Sequence, residues 1–162
     1  MGAAHALPDH VDVDIVTSTP IVVVPPGLRV TVHTGLKAQS ERLVQLYRNA
    51  DIFALPSRGD CMPQAVAEAL ACGLPVVATA VGAIPEMVSD KVNGYLVRPR
   101  NPRAIAASIS ALANSPRLRF DMGRRSLKLA QLEHDAAANN ARIISILKTL
   151  ARSKQAAAAL AN

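Results

Sequence analysis

Two carboxylates, Asp60 and Glu68, stand with seven residues between them. Asp60 closes a polar tetrapeptide, Ser57-Arg58-Gly59-Asp60, that follows the apolar segment Ile52–Leu55 and Pro56. Cys61 and Met62 come next, then an alanine-rich run. A helix opening at Met62 would expose unpaired N–H groups and a partial positive charge, which attract phosphate. Gly59 allows the backbone to approach a ligand closely. Pro63 fits a first helical turn, although its missing N–H removes one possible donor. Glu68 lies among Ala65, Val66, Ala67, Ala69, Leu70 and Ala71. A carboxylate in such surroundings needs partners, and two vicinal hydroxyls of a ligand would engage both of its oxygens. Each acid also has an ordinary reading: Glu68 faces solvent or pairs with an arginine, and Asp60 caps the helix.

The remaining reactive side chains read more plainly. Cys61 sits where a helix N-terminus could lower its thiol pKa, but a backbone or packing role is simpler. His33 ends a strand and reads as packed or solvated. His5, His10 and His134 are too scattered for a metal site. Met62 and Met87 read as core residues. Arg124 and Arg125 read as a solvated face, with a membrane contact as the lesser option.

Elements that could position the two acids follow from periodicity. Residues 11–16, 29–33, 52–55, 74–79 and 95–97 are short apolar or β-branched runs and read as strands. Helical patterns cover 39–48, 62–72 with Gly73 as the stop, and 82–90. Asn93-Gly94 is a turn signal. Asn101-Pro102 and Ser115-Pro116 each pair a capping residue with a proline at the first helical position. A last helix is expected over 134–152. Strands alternating with helices make a parallel sheet covered on both faces. Ligands then bind at the carboxyl ends of the strands, which selects the loops after 33, 55, 79 and 97. The expected organisation is a loose segment over 1–10, one domain over 11–152 and an alanine-rich tail over 153–162.

Composition narrows the function classes. The chain has 162 residues, enough for one domain. Half of them are apolar but only 2% are aromatic, so the core must be built from Ala, Val, Leu and Ile. The apolar runs are too short to span a membrane, and residues 1–10 lack a secretory pattern. Two cysteines, Cys61 and Cys72, make no disulfide framework, which suits a cytoplasmic protein. The net charge of +6 comes largely from cations spread along helix surfaces. A nucleic-acid site would interleave aromatics with basic residues, and that pattern is missing.

The ordered combination of motifs resembles glycosyltransferase family 4, the group 1 glycosyltransferases of the GT-B fold. Asp60 and Glu68 have the family's acidic-x7-Glu spacing. Ala69-Leu70-Ala71-Cys72-Gly73-Leu74-Pro75-Val76-Val77-Ala78-Thr79 matches closely. Val81-Gly82-Ala83-Ile84-Pro85-Glu86 matches with Ala83 in place of glycine. Asn93-Gly94-Tyr95-Leu96-Val97 and Leu46-Tyr47-Arg48-Asn49-Ala50-Asp51 also fit.

The resemblance covers about residues 28–150 and implies a Rossmann-like parallel sheet flanked by helices, the C-terminal donor-binding half of such an enzyme. It implies that Glu68 holds the donor ribose hydroxyls and that Asp60 sits by the sugar hydroxyls. Backbone N–H groups of Cys61 and Met62 would bind sugar or phosphate, with Ser57 and Gly59 completing the loop. The donor would be a UDP, GDP or ADP sugar, transferred with retention to an unassigned acceptor and without a metal or other cofactor. Positive charge would stabilise the leaving group.

Departures from the pattern qualify this. Asp60 is shorter than the usual glutamate. The family's first strand–helix unit, with an Arg and a Lys that clamp the diphosphate, has no counterpart here, and neither Arg58 nor Lys37 matches it. The acceptor domain is expected to be missing. Turnover by this chain alone is therefore left open, and the rival is a non-catalytic nucleotide-binding or interaction module that completes a partner subunit. A sugar-nucleotide epimerase of the same two-domain fold is a further rival, against which the Asp60–Glu68 spacing and the 82–86 loop speak. Self-association or a partner chain is expected to cover the cleft face, and peripheral membrane contact is retained.

Overall fold

The computed structural model of the chain describes residues 7–19, 27–133 and 136–160. Residues 1–6 of the expected loose segment, residues 20–26, His134 and Asp135, and residues 161 and 162 of the tail lie outside the described residues. In chain order the elements are β1 (Asp12–Val16), β2 (Arg29–His33), α1 (Glu41–Asn49), β3 (Phe53–Leu55) and α2 (Gln64–Ala71). Then come β4 (Val76–Thr79), α3 (Ile84–Met87), β5 (Gly94–Val97), α4 (Pro102–Ala113), α5 (Pro116–Glu133) and α6 (Ala136–Leu160).

The strand with no polar alternation takes the centre. All four residues of β4 are buried. It pairs in parallel with β3 on one side and β5 on the other, giving the order β3-β4-β5. Side chains alternate across a strand, so β4 feeds two cores. Val76 and Ala78 join Val66, Ala69 and Leu70 of α2, Ile84 and Met87 of α3, and Ala130 of α5. Val77 packs on the other face with Leu112 of α4 and Met122 of α5. Helices on both faces of a parallel sheet make this an α/β domain of the expected class.

One sheet was expected, and two are found. β1 and β2 form a separate parallel pair, in register from Asp12 opposite Arg29 to Val16 opposite His33. The residue types explain the split. Asp12 and Asp14 alternate with Val13 and Ile15, and the acids are exposed while the aliphatics are partly buried. Such alternation suits a strand with one wet face, not a central strand covered on both. Arg29 and Asp12 pair across the two strands. The loop after His33 therefore leaves a different sheet from the loops after Leu55, Thr79 and Val97.

Local signals set most boundaries. Asn101 caps α4 by accepting the Ala104 N–H at 3.0 Å, and Ser115 accepts the Leu118 N–H at 3.3 Å. α2 stops at Gly73, whose φ of +72° suits glycine. Its N–H donates to the Leu70 carbonyl and that of Leu74 to the Ala69 carbonyl, both at 3.0 Å. Arg119 donates to the carbonyls of Leu112 and Ala113 and closes the end of α4. α6 runs on past the expected end at 152 to Leu160. No helix among the described residues is long and apolar enough to cross a membrane.

Leu112 is fully buried against Val77 and Met122. Leu112→Ala is expected to cost about 2–5 kcal/mol through lost transfer energy and a residual cavity, read as a lower denaturation midpoint in urea. An unchanged midpoint would mean that this face of the sheet is not packed as described.

Candidate functional site

The carboxyl ends of β3 and β4 lie side by side because the strands are parallel neighbours. Their loops are joined by two hydrogen bonds. The Thr79 hydroxyl, on a residue only 1% exposed, donates to the Ser57 carbonyl at 2.5 Å. The Ala83 N–H donates to the Cys61 carbonyl at 2.9 Å. Between these ties run Arg58, Gly59 and Asp60. The N–H groups from Arg58 to Met62 have no acceptor among the described residues. The loop thus presents open backbone donors immediately before a helix, an arrangement that suits an anionic ligand.

Each sequence-derived candidate has a defined place. Ser57 and Asp60 are partly buried, and Gly59 and Cys61 are exposed. Asp60 does not cap α2: the cap position is Pro63, which makes no side-chain capping bond. The helix accordingly begins at Gln64, two residues later than expected, and one ordinary reading of Asp60 is removed. Met62 is corrected. Its side chain is 58% exposed and belongs to the loop surface, not to the core, whereas Met87 is buried as expected. The loop turns outward at Met62 because Pro63, not Met62, carries the chain into the buried layer.

Glu68 lies in the second turn of α2, partly buried. Among the described residues it forms no ion pair with an arginine. Its neighbour is the Tyr47 phenol of α1. Burial, followed by the hydrogen bond and negative charge of Glu68, pushes the Tyr47 pKa well above its ordinary value. The phenol stays protonated beside the carboxylate, which keeps lone pairs for a further partner. Tyr47 in turn stacks at a tilt on Phe53 of β3, with ring centroids 5.8 Å apart. The sequence places Tyr47 in the 39–48 helix and in the Leu46–Asp51 motif without linking it to Glu68; the signal for that link is an aromatic hydroxyl beside the aliphatic Leu43 and Val44. Burial also raises the Cys72 thiol pKa, against the lowering pull of Arg48.

The other candidates stand apart. His33 Nε2 lies 2.7 Å from Asp14 Oδ1 and is engaged within its own strand pair. Lys37 and Arg58 are exposed, without acidic partners among the described residues. Arg124 is exposed, and Arg125 reaches the Val92 carbonyl at 3.3 Å. Among the described residues no three His, Cys, Asp or Glu side chains gather as a metal site.

Residues 19–115 match the family model described as glycosyl transferases group 1. The chain belongs to this family. Its relatives include the D-inositol 3-phosphate glycosyltransferase of Xylanimonas cellulosilytica, 43% identical over 98 residues, a match covering 60% of this chain and 22% of that protein. The group 1 glycosyl transferase chain thus corresponds to about a fifth of that relative's length. Sucrose-phosphate synthase from Thermosynechococcus elongatus superposes with a TM-score of 0.71 at 26% identity, over 77% of this chain and 31% of that one. Anabaena HepE in complex with UDP superposes with a TM-score of 0.69 at 24% identity, over 75% of this chain and 32% of that one. The likeness in fold places this group 1 glycosyl transferase domain with the GT-B enzymes, as its sequence motifs implied.

Proposed function

We propose that the chain is the donor-binding part of a retaining glycosyltransferase of family 4, holding a nucleotide diphosphate sugar at the carboxyl ends of β3 and β4. Glu68 accepts from the ribose hydroxyls, and Asp60 from the sugar hydroxyls. The open N–H groups of Cys61 and Met62 meet sugar or phosphate, with Ser57 and Gly59 shaping the loop. The observation that carries this reading is the loop itself: its donors are unpaired, it carries Asp60, and it leads into the helix that carries Glu68. The leaving diphosphate is stabilised by backbone dipoles and positive charge, without a metal. The setting is cytoplasmic, with peripheral membrane contact.

A second reading is a binding module that completes a partner subunit without turnover. It is favoured by α6, where Ile143, Ile144, Ile146 and Leu147 are each more than half exposed, a row of apolar side chains that a partner or a second copy would cover.

Calorimetric titration with UDP, GDP and ADP tests the donor site. Saturable binding of one of them is expected and names the base; UDP is tried first because the HepE protein was captured with it. A folded chain that takes none of the three would overturn the donor-site reading.

A further inference from the structure

We propose that Thr79 and Gly82 are positioning residues that hold the 57–61 loop in its donor-binding shape. The proposal rests on the donor-site reading above, and it concerns residues that touch no ligand there. Thr79 ends the central strand and is buried on a segment of aliphatic neighbours. A buried hydroxyl needs a partner, and this one spends its proton on the Ser57 carbonyl. Gly82 lies three residues on, with φ at +53°. A methyl group there would overlap the Asp60 carbonyl oxygen and crowd the Cys61 carbonyl. Those are backbone atoms, so no side chain can swing aside. The next residue, Ala83, closes the contact through its N–H to Cys61.

The consequence is directional. The segment Thr79–Ala83 takes up the carbonyls of Ser57 and Cys61 and leaves the loop's N–H groups unpaired. With these two carbonyls occupied and the donors open, the loop offers its N–H groups to a diphosphate or to sugar oxygens. Released from the segment, the same loop could turn its carbonyls toward the ligand, and the donor field would be lost. Glycine at 82 is therefore required twice, by its backbone angle and by the approach of Asp60.

The test uses the full chain with Thr79→Val, Thr79→Ser and Gly82→Ala. Two readouts are taken: hydrogen exchange of the Ala83 amide by NMR, and the Kd for whichever of UDP, GDP or ADP the unaltered chain binds. Thr79→Val and Gly82→Ala are expected to lower Ala83 protection and to weaken nucleotide binding, each by about tenfold, the scale of one lost hydrogen bond. Protection of the β4 amides should stay unchanged, and Thr79→Ser should restore both readouts. Should Gly82→Ala fail to fold, the Val and Ser variants at Thr79 still decide the matter. Unchanged Ala83 protection in Thr79→Val would overturn the clamp. A released clamp with undiminished nucleotide binding would overturn the positioning role. If the unaltered chain binds no nucleotide, the donor reading falls and the positioning role with it, while Ala83 exchange still reports whether the two loops are tied.

Discussion

Glu68→Ala is expected to weaken nucleoside diphosphate binding by about 10- to 100-fold, the loss of charge-assisted hydrogen bonds worth about 1.5–3 kcal/mol. Isothermal calorimetry on both forms measures it. Glu68 sits partly buried in an alanine-rich helix, without an ion pair among the described residues. Its polar neighbour is the protonated Tyr47 phenol. A carboxylate accepts at several lone pairs, so capacity remains for two ribose hydroxyls. Truncation also removes the polar neighbour of the part-buried Tyr47 hydroxyl, at a cost of up to about 1 kcal/mol of stability. Glu68→Gln separates the two effects. The amide keeps the shape and an acceptor oxygen beside Tyr47, so stability should hold, while the loss of charge should still weaken nucleotide binding. Equal binding by all three forms would remove Glu68 from the site and leave it a helix-packing residue.

What could be read from the chain beforehand followed the range of the interaction. Asn101 and Ser115 were legible as caps because a cap is settled within four residues. The centrality of Val76–Thr79 was legible because a strand buried on both faces leaves no room for polar alternation. The alternation in Asp12–Val16 carried the opposite message. It was read as part of one sheet because strand type is local while strand partners are not. The site divided in the same way. Asp60 and Glu68 stood out by spacing and resemblance. The link from Thr79 to Ser57 spans 22 residues of chain, and nothing in either residue's neighbourhood announces it. Tyr47 reaches Glu68 through a helix-to-helix contact that periodicity can suggest only as a buried face. Met62 was misplaced because hydrophobicity predicts burial on average, and a loop entering a helix at proline overrode it.

Gly94 shows how a correct residue can be read for the wrong reason, and it gives the largest stability effect expected here. Asn93-Gly94 looks like a turn that needs glycine's backbone freedom. In the fold Gly94 opens β5, directly opposite Val76 of the central strand, and it is not among the residues with positive φ. Glycine is required there by proximity. A methyl group would overlap the backbone nitrogen, carbonyl carbon and carbonyl oxygen of Val76. Its neighbours cannot yield. Asn93 is buried, with its side chain accepting from the Ser89 N–H at 2.8 Å and donating to the Met87 carbonyl at 3.2 Å. The Asn93 carbonyl accepts from Val76 N–H and from the Ser126 hydroxyl, both at 3.2 Å. The Gly94 carbonyl accepts from Lys91 N–H at 2.7 Å. Moving β5 away to admit the methyl breaks several of these bonds together. Gly94→Ala is therefore expected to cost about 3 kcal/mol or more, beyond ordinary overpacking and in the range of a broken buried network. Urea denaturation followed by circular dichroism reads it. Gly59→Ala is the matched control: a methyl there meets nothing within 4 Å, so stability should change by less than about 0.5 kcal/mol. Nucleotide binding should still fall in that control if the loop approaches the ligand at Gly59. Equal stability of Gly94→Ala and Gly59→Ala would mean that β4 and β5 do not approach each other as closely as described.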